Sequence, residues 1–241
     1  MTSPYDDPIG HAVYDFHFNS IERPIVVHSN DFDDDTIETS YLFRTYQQMP
    51  ALEKKAMSLC SGKILDVGAG AGAHSVYLQE KGFGITSLET SALCCEVLTN
   101  RNIREVVMQD IFKFNNHTFD TILLLMNGTG IAGTLSGLDV LFHHLKSLLN
   151  PGGQILIDSS DLIYLFEQED GSVLIHISAE KYYGELTFQT EYENWKSQPF
   201  SWLYVDPDNL KNSVEKNQLK LDKIYEGEHY DYLARITFKN E

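Results

Sequence analysis

Between Ile64 and Glu89 the chain reads ILDVGAGAGAHSVYLQEKGFGITSLE, an arrangement of acidic residues and glycines that can hold a nucleoside. A short apolar run ends in Asp66, and Gly68, Gly70 and Gly72 follow at alternate positions. Glycine has no Cβ, so a turn built from it lets a ligand approach the backbone closely. The helix expected next directs its N-terminal amides at the same point. Glu89, 21 residues after Gly68, closes the following strand, where a carboxylate can accept hydrogen bonds from both hydroxyls of a ribose. With Ala73 in the third glycine's place, the loop also satisfies the dinucleotide pattern G-x-G-x-x-G/A. An NAD-dependent oxidoreductase and a non-catalytic nucleoside-binding protein are therefore rival readings. Against the dinucleotide reading, Asp66 stands two residues before the first glycine, where its carboxylate can reach the ligand, and about 60 residues precede the motif.

A second glycine pattern, Gly128-Thr129-Gly130-Ile131-Ala132-Gly133, is a complete G-x-G-x-x-G. Its candidate ribose acid, Asp158, lies 30 residues on, farther than the fingerprint's spacing of about 20. This loop is read as the floor of the substrate site, against the alternative of a turn with no ligand contact. Other patterns fail on spacing. Asp31-Phe32-Asp33-Asp34-Asp35 begins like a calcium loop, but Thr36 stands where glycine is required and Leu42 where the closing glutamate is required. His143 and His144 are adjacent on a helix, about 100° apart, and do not readily share an ion. There is no Cys-x-x-Cys or His-Glu-x-x-His, and Gly133-Thr134-Leu135-Ser136-Gly137 misses the hydrolase elbow by one position. No metal site and no serine triad are expected.

The elements that must position these residues continue the order. Arg104–Ile111 reads as a strand running into an acidic turn, and Phe119–Met126 is a near-continuous apolar run typical of a parallel strand covered on both faces. A helix from about Leu135 to Leu149, the turn Asn150-Pro151-Gly152-Gly153 and the strand Gln154–Asp158 follow. From about Lys63 to Asp158, and more loosely to the C-terminus, the chain resembles the class I S-adenosylmethionine-dependent methyltransferases. The resemblance implies S-adenosylmethionine as cofactor, with Asp66, Gly68, Ala69, Gly70 and Gly72 cradling its methionine and ribose side. It implies Glu89, with Thr90 beside it, on the ribose hydroxyls, and Asp110 and Ile111 on the adenine. Met126 and Asn127 fall at the end of the fourth strand, beneath the donor methyl. Asn127-Gly128-Thr129 there is not the Asn-Pro-Pro-Tyr often carried by enzymes that methylate bases or glutamine. The reaction implied is in-line displacement at a sulfonium methyl, with Asn127, Asp158 and Asp161 as candidates to orient the acceptor and no residue assigned as catalyst.

The expected fold class is α/β: a Rossmann-like, doubly wound, seven-stranded and mostly parallel sheet with an antiparallel last strand. One domain is expected to span 1–241. Residues 1–62 form an N-terminal helical lid, 63–158 the cofactor-binding core, 159–206 a small antiparallel β insertion, and 207–241 a C-terminal helix and closing hairpin. Within the lid a helical run begins at Thr39–Tyr46 and a second helix covers Ala51–Cys60. Arg44 has the charge and fork to hold the donor's carboxylate; equally, its helix can simply pack on the sheet. His74 either contacts that carboxylate or only occupies a helix terminus. In the insertion, Leu186, Phe188, Thr190 and Tyr192 alternate with polar neighbours, Phe200–Val205 reads as a partner strand, and Val173–Ile177 as a third. This insertion is either a wall over an organic substrate or a structural flap or dimer face.

Composition narrows the partners. Lys+Arg number 18 against 35 Asp+Glu, a net charge of −17, so the chain lacks the basic stripe that nucleic acids or anionic membranes require. A small-molecule methyl acceptor is expected. Cys60, Cys94 and Cys95 form no disulfide framework, and no apolar run is long enough to span a bilayer, so a soluble cytoplasmic enzyme is expected.

Overall fold

The central strands of one sheet alternate with helices along the chain, because their residues are apolar on both faces and each face needs a cover. The computed structural model describes residues 6–166 and 181–239. In chain order the elements are α1 (Pro8–Tyr14), β1 (Ile25–Ser29), β2 (Asp35–Ile37), α2 (Ala51–Leu59), β3 (Lys63–Val67), α3 (Ala73–Glu80), β4 (Gly84–Glu89), α4 (Ala92–Asn100) and β5 (Val106–Met108). There follow β6 (Phe119–Leu124), α5 (Leu135–Ser147), β7 (Leu149–Ser160), β8 (Glu185–Tyr192), β9 (Trp195–Lys196), β10 (Phe200–Leu203), α6 (Pro207–Lys216), β11 (Leu219–Glu226) and β12 (Asp231–Phe238).

The larger sheet has the order β11-β12-β7-β6-β3-β4-β5. The pairs β3–β4, β3–β6, β4–β5 and β6–β7 are parallel, whereas β12 runs antiparallel to both β7 and β11. Its central strands have no solvent face: Ile64, Leu65, Ile122, Leu123, Leu124, Ile155, Leu156 and Ile157 are all fully buried. On one side α5 inserts Leu138, Leu141, Phe142 and Leu145, the spacing of a single helical stripe, and each such side chain contributes about 1.5–3 kcal/mol. On the other, Leu52, Ala56 and Met57 of α2 pack with Leu78 of α3. The chain order reverses between β3 and β6, which places the crevice for a ligand beyond the carboxyl ends of those strands. The expected fold class holds, and the Pro151–Gly153 turn is absorbed as an irregularity within β7, where pairing with β6 jumps from Leu149 to Gln154.

The flanks depart from expectation in an instructive way. A second, five-stranded antiparallel sheet has the order β10-β8-β1-β2, with β9 turning back on β8. The insertion supplies β8, β9 and β10 as read, but the N-terminal region supplies β1 and β2, pairing Val27 with Thr190 across the length of the chain. Residues 1–62 and 159–206 thus each give strands to one sheet, and residues 1–62 carry the helices α1 and α2 besides. The run at Thr39–Tyr46 forms two 3-10 turns, Thr39–Phe43 and Tyr46–Gln48, because Arg44 between them takes an extended backbone (ψ 141°). The strand expected at Val173–Ile177 lies outside the described residues. Among the described residues no helix is long and apolar enough to cross a membrane.

Candidate active site

The turn after β3 is shaped by three glycines with left-handed backbones, Gly68 (φ 70°), Gly70 (φ 53°) and Gly72 (φ 87°). Gly68 and Ala69 donate their amides back to the Leu88 carbonyl, at 2.9 and 3.2 Å, which folds the turn over the end of β4. Gly70 donates its amide to Glu89 Oε2 at 2.8 Å, and Glu89 Oε1 accepts from the amides of Thr90 and Ser91 at 2.7 and 3.0 Å. The carboxylate is therefore held at the lip of the turn. A Cβ on Gly70 would meet only the Gly68 carbonyl, at 4.0 Å, and one on Gly68 only Ile131 Cδ1, at 3.8 Å. The turn faces open space.

That space is a cavity of about 1340 Å³. It exceeds the roughly 300–1,000 Å³ of an ordinary small-ligand cleft, enough for a nucleoside and a second molecule. Every residue expected at the cofactor site except Gly72 lines it: Asp66, Gly68, Ala69, Gly70, His74, Glu89, Thr90, Asp110, Ile111, Met126, Asn127 and Arg44. Gly72 lies behind the turn as the N-cap of α3, where a Cβ would strike Leu98. Asp66 is 2% exposed and accepts a hydrogen bond from Ser75 Oγ at 2.6 Å, which in turn meets Ser87 Oγ at 2.6 Å. Asp110 accepts the Phe112 amide at 2.9 Å, capping a short turn whose first residue, Ile111, is buried against the core.

Arg44 lines the cavity but has a partner of its own. Its Nε and Nη2 donate to the two oxygens of Glu53 at 3.0 and 2.7 Å, and Nη1 donates to the Tyr41 carbonyl at 2.8 Å. Glu53 also holds His74 Nε2 at 2.9 Å, so one carboxylate ties the N-terminal segment to the first turn of α3. Burial pushes the Glu53 carboxyl up, but hydrogen bonds and charge from His74 and Arg44 outweigh it and hold the group below its ordinary value. The guanidinium expected to hold a donor carboxylate is thus engaged by the protein. Glu53 was not singled out from sequence, because an acid in the first turn of a helix ordinarily serves only the helix dipole in solvent.

The opposite wall comes from the second sheet. Val27 of β1, Leu186 and Phe188 of β8, and Phe200 and Trp202 of β10 face the cavity, with Tyr204 just beyond. Phe188 packs edge-on against Tyr204 (6.4 Å), and Phe200 against Trp202 (6.1 Å), building a connected aromatic surface. Gly130 of the second glycine loop lies directly under Trp202, and a Cβ there would fall 1.9 Å from the indole. Gly128 and Ile131 of the same loop reach the cavity. Asp158 and Asp161 do not line it: Asp158 accepts the Gly128 amide at 2.8 Å, and Asp161 the Tyr183 hydroxyl at 2.6 Å.

Known proteins share this arrangement. A methyltransferase domain family matches residues 38–224. A SAM-dependent methyltransferase from Bacteroides fragilis, solved in complex with S-adenosyl-L-homocysteine, is 42% identical with a TM-score of 0.93, covering 100% of this chain and 98% of that one. More distant likenesses share the fold alone. The CcbJ methyltransferase from Streptomyces caelestis is 14% identical (TM-score 0.61; 81% of this chain, 95% of that one). CalS10, an amino pentose methyltransferase from Micromonospora echinaspora, is 15% identical (TM-score 0.53; 80% and 94%). No curated protein matches the chain. With a family match over most of its length and a close relative over all of it, this chain belongs to the S-adenosylmethionine-dependent methyltransferases.

Proposed function

We propose that the chain binds S-adenosylmethionine along the Gly68–Gly72 turn and methylates a small organic acceptor held against the aromatic wall of the second sheet. The observation that carries this is the open turn beside the tethered Glu89, both facing a cavity large enough for two molecules. The Bacteroides fragilis relative, solved with S-adenosyl-L-homocysteine, supports the choice of donor.

The residues present fit that donor. Glu89 is fixed by three backbone amides, with its carboxylate at the cavity lip for the ribose hydroxyls. Asp110 and Ile111 provide a polar and an apolar edge for adenine, and Thr90 and Ala69 border the ribose. Asp66 and His74 face the methionine end, and Met126 and Asn127 lie beneath the methyl. Arg44 acts at one remove, positioning His74 through Glu53. Bound there, S-adenosylmethionine supplies a methyl group already activated by the sulfonium. The protein's share is alignment and exclusion of water, worth about 7–11 kcal/mol where it is complete.

The acceptor side suits a neutral or amine-bearing molecule better than an anionic one. Arg44 is the one Lys or Arg among the described lining residues, and Glu53 neutralises it, whereas Asp33, Asp34, Asp35 and Asp231 all line the cavity. The net charge of −17 speaks against a nucleic-acid acceptor. The free thiols of Cys60, Cys94 and Cys95 suit a reducing, cytoplasmic setting.

Calorimetry with S-adenosyl-L-homocysteine and with NAD tests the donor. S-adenosyl-L-homocysteine is expected to bind, and Glu89→Ala to weaken it about 10–100-fold, the loss of charge-assisted hydrogen bonds, with the fold retained. Binding of NAD with no response to S-adenosyl-L-homocysteine would reinstate the oxidoreductase reading.

A further inference from the structure

Met126 and Asn127, two of the residues after β6 that line the cavity, have left-handed backbones (φ 67° and 59°). Single non-glycine residues there carry strain of about 1 kcal/mol or more, so two in succession persist only where the surroundings hold them. The holding groups come from the end of β7. Asp158 accepts the backbone amides of Gly128, at 2.8 Å, and of Asn127. Its neighbour Ser159 donates to Asn127 Oδ1 at 3.2 Å, and Ser159 Oγ accepts from Thr129 Oγ1 at 2.8 Å and from the Val205 amide at 2.9 Å. Asn127 Nδ2 donates to the Leu203 carbonyl at 3.3 Å, and the single Thr129 hydroxyl proton is shared between that carbonyl, at 3.0 Å, and Ser159 Oγ. One strained turn is thereby pinned to the core sheet through Asp158 and Ser159, and to the acceptor wall through Leu203.

We infer that Asp158 is a positioning residue whose ionised carboxylate holds the Met126–Gly128 turn in its donor-binding shape. This rests on the donor site proposed above. An ionised carboxylate accepts two amides as charge-assisted bonds. A protonated one accepts them more weakly and carries a proton that must find an acceptor of its own, so the hold on the turn loosens. The environment makes this change accessible near neutrality: burial raises the carboxyl to about 6, against the opposing hydrogen bonds from Gly128 and Asn127. The charged and titratable groups facing it are Glu53 of α2, His74 of α3, Tyr41 of the N-terminal turn, Tyr204 after β10 and Tyr232 of β12. Of these Glu53 raises the group and His74 lowers it.

The same carboxylate works against stability. Its pKa is higher folded than unfolded, so its favourable contribution is present in acid and is lost as pH rises through about 6. A carboxylate that costs stability at neutral pH yet makes two bonds to a strained, cavity-lining turn has the profile of a functional group.

The test uses S-adenosyl-L-homocysteine, none of whose own groups titrates between about pH 5 and 7.5, in calorimetry on the wild type and on Asp158→Asn. In the wild type the affinity is expected to fall about fivefold from pH 7.5 to 5, the worth of one hydrogen bond, and in Asp158→Asn to be already weakened and nearly flat. Thermal unfolding is expected to show the opposite sign, with the variant gaining stability over the wild type as pH rises from 5 to 7.5. A purely structural aspartate would move the second measurement without the first. A pH-independent wild-type affinity, or the same pH dependence in both proteins, overturns the assignment while leaving the donor site standing. No binding of S-adenosyl-L-homocysteine at pH 7.5 overturns both.

Discussion

The two glycine loops of this chain obey nearly the same pattern and use their glycines for opposite reasons. In Gly68–Gly72 the glycines supply positive φ and leave empty space in front of the turn. In Gly128–Gly133 only the last glycine has positive φ, and Gly130 is small because Trp202 occupies the place a side chain would take. The first loop leaves open space before it; the second is closed by the protein's own indole and becomes the seat of the aromatic wall. A spacing of glycines therefore specifies close approach without saying what approaches. They also differ in how they are held: the first is backed by the buried ion pair of Arg44 with Glu53 and its bond to His74, the second by packing and by Asp158.

Breaking the charge behind the first loop has the largest expected effect. Arg44 and Glu53 are 3% and 4% exposed, so Glu53→Ala strands a buried guanidinium, with a loss of about 3–5 kcal/mol in a urea titration. The loss also has a pH signature. The Glu53 carboxyl is held below its ordinary 4.5, so its contribution is complete above that pH and disappears as pH falls through the lowered folded value. The gap between wild type and variant should close on acidification. A variant as stable as the wild type at pH 7 would mean that Arg44 finds solvent, and that the first loop has no ionic support.

What could be read from sequence follows the same division. The proposed donor side lies almost entirely within Lys63–Asp158, in strands apolar on both faces and turns whose glycines and acids sit at fixed offsets. There the local signals and the tertiary structure coincide. The proposed acceptor wall is assembled from β1 and β8, more than 150 residues apart, and no periodicity within Ile25–Ser29 announces a partner at Phe188–Glu191. β1 has only five residues and follows Pro24, so it reads as a loop edge until its partner is known. Glu53 was hidden for a related reason: its helix was legible, but the two partners that make it a network member arrive from Arg44 and His74, on either side of β3. Arg44 was picked out for its charge, and only the packed structure shows that the charge is already answered.

Filling the second loop comes next in size. Gly130→Ala puts a methyl into the Trp202 ring, and overpacking of this kind costs about 1–3 kcal/mol, read as a fall of several degrees in the thermal midpoint. The donor loop is untouched, so affinity for S-adenosyl-L-homocysteine should stay within about twofold, below the worth of one hydrogen bond. A large loss of affinity with little loss of stability would show that the second loop, not the first, lines the nucleoside.

Gly70→Ala is the mirror experiment and has the smallest effect on the fold. The added Cβ meets nothing nearer than 4.0 Å, so no packing is disturbed, and the cost is only that of a left-handed alanine at φ 53°, about 1–2 kcal/mol. The methyl, however, stands in the opening of the proposed donor site, beside the amide that fixes Glu89. Affinity for S-adenosyl-L-homocysteine should therefore fall by about tenfold or more, a larger effect than the stability change alone transmits to a folded protein. The two alanine variants cross: Gly130→Ala loses stability and keeps the donor, Gly70→Ala keeps most of its stability and loses the donor. If both variants moved the two quantities in parallel, the loops would have to be parts of one site, and the physical distinction between an open glycine turn and a filled one would not hold in this protein.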